Sequence, residues 1–70
     1  MNDLVTLHIV VLNYETGSVE FYHADFSADY QSEDVEAWLI DNTDYRASAC
    51  YFMYSTNLIP IKVRDEVEYV

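Results

Sequence analysis

Residues 4–22, LVTLHIVVLNYETGSVEFY, carry the chain's only glycine between two runs of β-formers. No other stretch limits the fold so tightly. Leu4 to Asn13 is rich in Val, Ile and Leu, and from Ile9 to Leu12 it is apolar on both faces. That pattern belongs to a strand covered on both sides and central in its sheet. Glu15 and Thr16 suit the middle of a type I turn, with Gly17 in the left-handed position that closes a three-residue hairpin loop. Val19-Glu20-Phe21-Tyr22 then alternates as the returning strand.

Residues 24–31 read as a loop with Phe26 tucked beneath it. Ser32 is a good N-cap, and Glu33 and Asp34 follow in the first turn, where the helix dipole favours negative charge. Val35, Trp38 and Leu39 share one face at the i, i+3, i+4 spacing. The helix is expected to end near Asp41-Asn42, since Asn tolerates a left-handed C-terminal position. Ala49 to Tyr54 is aromatic and alternating, Ser55-Thr56-Asn57 is a turn, and Leu58 to Arg64 is a further strand. Pro60 cannot donate to a ladder, which makes that strand an edge or bulges it. The ending DEVEYV keeps the alternation and extends the strand. The expectation is one acidic α+β domain over residues 1–70, ordered ββαββ: a four-stranded, mainly antiparallel sheet with one helix on one face.

Sorting by face puts Val5, Leu7, Ile9, Val11, Val19, Phe21, Ile59, Ile61 and Val63 toward the helix. Thr6, His8, Val10, Leu12, Glu20, Tyr22, Lys62 and Arg64 fall on the other side. The register of the third strand stays open. One helix covers one face only, so Val10, Leu12 and Tyr22 form an apolar patch suited to an interface, unless DEVEYV folds over it.

Seventy residues bury a small core and usually need a staple. Cys50 is the only cysteine, so no internal disulfide forms and a reducing, cytoplasmic setting is expected (the host cytoplasm for a phage-encoded chain). Oligomerisation, such as a homodimer, or docking on a larger partner is the remaining staple. MNDLVTLHIVVLNYE has neither the basic start nor the small-residue cleavage site of a signal peptide, and Leu7 to Leu12 is too short to span a bilayer.

Catalytic chemistry is thinly supplied. His8 and His23 sit on the two strands of one hairpin, with no Ser or Cys in a nucleophile setting. Cys50, inside a strand among apolar residues, reads as an inert buried thiol. His23 and Asp25 offer two metal ligands, which do not make a site. A single glycine excludes a phosphate-cradling loop, and its place in a hairpin excludes an EF-hand. A non-enzymatic protein with no cofactor and no metal is the expectation.

Charge is the distinguishing property. The net charge is −10, and residues 29–45, DYQSEDVEAWLIDNTDY, hold six carboxylates with no lysine or arginine. Such a chain is repelled by nucleic-acid phosphates and anionic lipid. Opposite the apolar stripe of the helix lie Glu33, Glu36, Ala37 and Ile40, flanked by Asp34 and Asp41, with Asp25 and Asp29 before and Asp44 after. Helical neighbours three or four apart stand about 5–6 Å from each other. That is comparable with the charge repeat of a nucleic-acid backbone, which draws lysine and arginine from its binders. The partner-binding candidates are therefore Glu33, Asp34, Glu36, Ile40, Asp41 and Asp44, with Tyr30 and Tyr45 as rim anchors. Their expected target is a basic protein such as a nucleic-acid-binding enzyme, inhibited or modulated by mimicry of nucleic-acid charge. Small acidic inhibitors of restriction and CRISPR nucleases from phages and mobile elements are analogous in size and charge alone. Two alternatives stand beside this reading: acids serving only solubility, and an assembly module using the open sheet face. Solubility does not explain Asp41, which the helix dipole disfavours at a C-terminus.

Overall fold

The computed structural model describes residues 3–63 and 66–69. Strands β1 (Leu4–Asn13) and β2 (Ser18–Ser27) form a long antiparallel hairpin, helix α1 (Ser32–Asn42) follows, and β3 (Cys50–Ser55) returns antiparallel to β1. The sheet order is β2-β1-β3, so the strand that is apolar on both faces is central, as expected. The fourth strand does not join this sheet. β4 (Pro60–Val63) pairs instead with β5 (Glu66–Tyr69) in a separate two-stranded hairpin, so the ending does not extend β4. The α+β class holds, and the main sheet has three strands rather than four. Arg64 and the first and last residues of DEVEYV lie outside the described residues.

The hairpin loop has four residues, Tyr14–Gly17, because Asn13 pairs with Ser18. Gly17 does adopt the left-handed conformation, at φ 72°, and its N–H donates to the Asn13 carbonyl at 2.8 Å. The longer loop is held by the buried Asn13 side chain, whose Oδ1 accepts from the Glu15 and Thr16 amides at 3.0 and 3.1 Å. One added loop residue shifts the pairing by one and turns every β2 side chain to the other face. Val11 is therefore opposite Glu20 rather than Phe21. Val19 and Phe21, expected beneath the helix, are exposed on the open face, and Tyr22 moves from the open face to the helix side. The strand also continues through Ala24 and Phe26, so residues 24–27 are not loop.

That flip builds the core. Leu7, Ile9, Val11, Phe26, Val35, Leu39, Tyr45 and Cys50 are buried together. Trp38 packs edge-on against both Tyr22 and Phe26, each at 6.2 Å between ring centroids. Tyr22 and Phe26 thus supply β2's share of the helix contact. In β3, Cys50 is buried in the core and Phe52 and Tyr54 pack against it, while Tyr51 and Met53 point out. Ile59 is buried, beside a small cavity also lined by His8, Phe21 and His23.

The helix ends at Asn42, as expected, but both of its caps differ from expectation. Gln31, not Ser32, is the N-cap, and its backbone N–H donates to Asp34 Oδ2 at 2.8 Å. The Ser32 hydroxyl is hydrogen-bonded to that of Tyr54 at 2.8 Å. At the other end the cap is Thr43 in an extended conformation, with no left-handed Asn. The Thr43 N–H and hydroxyl both donate to the Leu39 carbonyl, and Asn42 Nδ2 donates to that of Trp38. These donors satisfy carbonyls that the last turn leaves open.

Candidate acidic interface

Helix α1 presents the predicted face to solvent. Val35 and Leu39 are wholly buried, whereas Glu33, Asp34, Ala37, Ile40 and Asp41 are exposed. Ile40, at 53% exposure, is a large aliphatic side chain among carboxylates, as the helical spacing implied. Asp44 is exposed just beyond the helix. The last turn has no basic residue, so nothing local compensates Asp41.

The two tyrosines proposed as rim anchors are placed otherwise. Tyr45 is only 7% exposed and meets Phe52 edge-on at 5.7 Å, which makes it core. Its hydroxyl lies 3.4 Å from Glu36 Oε2 and donates to it. Burial and then the Glu36 carboxylate raise the Tyr45 pKa. Tyr30 is half-buried, between Phe26 and Tyr54. Asp25 leaves the helix side altogether, because the β2 register puts it on the open face, where Thr6 Oγ1 donates to it at 2.5 Å.

Sequence alone did not reveal how the acids are held. Among the described residues the one ion pair is Arg46 to Glu15, at 3.6 Å and well exposed, an arrangement of little energetic value. The other fixed carboxylates take neutral donors. Asp34 accepts from the Gln31 amide, Asp29 from the Ser27 hydroxyl, Glu36 from Tyr45, and Glu20 from both Ser18 and Tyr22. A neutral donor orients a carboxylate and favours its ionised form without cancelling its charge. At Glu20 the hydrogen bond from Tyr22, then that from Ser18, lowers the pKa. At Tyr22 the same bond raises the phenol to about 12, with burial and the Glu20 and Asp44 charges acting in the same direction. For Glu20 and Asp29 the signal was present as Ser and Tyr two residues from the acid, at Ser18/Glu20/Tyr22 and Ser27/Asp29; for Asp34 and Glu36 it was not.

The remaining chemistry-bearing residues are dispersed. His8 and His23 are directly paired across β1 and β2 with ring centroids 6.5 Å apart, and Cys50 is buried in the core. No group of three or more metal-ligating side chains is assembled among the described residues. No described helix is long and apolar enough to cross a membrane. Comparison with known proteins gives no match: no family model fits the chain, and no curated protein or solved structure is significantly similar to it.

Proposed function

We propose that the protein is a non-enzymatic binding protein whose acidic helix face occupies the basic groove of a nucleic-acid-binding partner and blocks it. The observation that carries this reading is the exposure of Ile40 beside Asp41, on a helix face that also carries Glu33 and has no base in its last turn. An apolar residue ringed by charge resembles the centre of an interface, where an aliphatic anchor is desolvated inside a polar rim. Two of the acids, Asp34 and Glu36, are oriented by neutral donors, which supports the same reading because a preoriented carboxylate loses little freedom on binding. The contact set narrows to Glu33, Asp34, Glu36, Ile40, Asp41 and Asp44, and Tyr30 and Tyr45 support it from the core.

Competition tests the proposal. Immobilised protein should capture a nucleic-acid-binding protein from lysate and release it when duplex DNA or RNA is added. Capture that is indifferent to both nucleic acids would contradict charge mimicry.

A further inference from the structure

The chain's two histidines, His8 and His23, stand directly opposite each other on β1 and β2. Directly opposed residues point to the same side of a sheet, here the side away from the helix. The imidazole centroids are 6.5 Å apart, and the rings are tilted at 37° rather than stacked. None of the side-chain hydrogen bonds among the described residues involves either ring. Both rings line a cavity of about 70 Å³, together with Phe21 and Ile59. His8 is half-buried there and His23 is exposed, so the pair is open to solvent on one side.

We propose that His8 and His23 together bind one divalent transition-metal ion of the copper, nickel and zinc class. Imidazole is a ligand these ions share, whereas magnesium and calcium take oxygen. Two nitrogens on one such ion lie at most about 4 Å apart, since each bond is about 2.0–2.1 Å. Rings with centroids at 6.5 Å reach that spacing by side-chain rotation, with no movement of the paired strands. The ladder therefore supplies the chelate, and the walls formed by Phe21 and Ile59 limit the freedom the rings lose on binding. A water needs about 10–15 Å³, so the cavity has room for water ligands on the ion as well. Charge acts in the same direction. Asp25 stands in the next row of the same face, held by Thr6, and the chain carries −10 overall. No third metal-ligating side chain joins the pair among the described residues, so water completes the shell and the ion is exchangeable. The sequence set His23 beside Asp25 along one strand. A three-residue hairpin loop would have put His8 opposite Ala24; the four-residue loop is what brings the two histidines together. The site uses no residue of the contact set proposed above and stands or falls separately.

Calorimetric titration of the full chain with copper(II), nickel(II) or zinc(II) tests this, in excess magnesium to occupy the carboxylates. One ion should bind per chain, copper(II) tightest of the three. His8→Gln and His23→Gln should each weaken binding about tenfold or more, since losing even an outer partner of a ligand costs about 10–100-fold. Should a variant fail to fold, the wild-type chain decides: substoichiometric copper(II) must broaden the NMR signals of His8, His23 and their strand neighbours first. Binding by either folded variant as tight as that of the wild type overturns the proposal. So does the lack of saturable binding in magnesium, or broadening centred on the acidic helix with both histidines unaffected.

Discussion

The Tyr22 hydroxyl donates a 2.7 Å hydrogen bond to Glu20 Oε1, along β2, whose register places both residues on the helix side of the sheet. The bond favours neutral tyrosine and ionised glutamate together. Tyr22 has a folded pKa raised to about 12, so its contribution to stability is complete below the ordinary tyrosine value and is lost as pH rises toward 12. Glu20 has a lowered pKa, so its contribution is present above the ordinary glutamate value and is lost as pH falls through the folded one. NMR titration with ring-labelled tyrosine should show one of the seven residues ionising near 12. Glu20→Gln should bring that residue back toward 10; an unchanged midpoint would remove Glu20 as the cause.

Asp41 offers a test of whether the acids are kept for binding. It sits near the C-terminal end of α1 with no base in the last turn, where the dipole opposes it. Asp41→Asn should stabilise the fold by about 0.3–1 kcal/mol. In a domain of this size that raises the melting temperature by a few degrees. The same variant should bind its partner less well. Unchanged or lower stability would mean that Asp41 has a structural role.

Neighbouring residues Leu39 and Ile40 should behave oppositely. Leu39 is fully buried, and Leu39→Ala should cost about 2–5 kcal/mol, enough to unfold much of a chain this small. Ile40→Ser touches solvent and should leave the denaturation midpoint nearly unchanged while reducing capture of the partner. Equal destabilisation by the two would place Ile40 in the core.

The hairpin loop gives a cleaner stability test. A Cβ built on Gly17 would meet nothing within 4 Å, so only its positive φ resists substitution. Gly17→Ala should cost about 1–2 kcal/mol. Asn13→Ala should cost a similar amount, about 1–3 kcal/mol, by freeing two amides. Denaturant midpoints for both variants check this, and a neutral result at Asn13 would show that the loop length is fixed elsewhere.

The same loop shows why part of the fold was legible and part was not. Gly17 announced a hairpin, and Val35, Trp38 and Leu39 announced the buried stripe, because each depends on local geometry or on a fixed helical period. The face of β2 depended on one loop residue, and that residue was decided by the buried Asn13 side chain rather than by the turn formers. A single step in register then reassigned Val19, Phe21 and Tyr22. The fate of Tyr45 was equally nonlocal, since it reaches the core only by meeting Phe52 on a strand that enters later in sequence. Of the candidate site, the exposed acids and Ile40 followed from the helix wheel. The donors that hold Asp34 and Glu36, the Gln31 amide and the Tyr45 hydroxyl, lie just outside the helix and are not on the wheel.

Salt-graded capture with a charge-reversed partner-binding face is the most direct measurement. Wild-type protein and the double variant Glu33→Lys/Asp41→Lys, both verified as folded by circular dichroism, are used as bait across rising ionic strength. Binding to a nucleic-acid-binding protein that falls steeply with salt, and is absent for the double variant, is the predicted result. Capture of the same protein by the double variant, undiminished at high salt, would contradict the acidic helix face as the site of action.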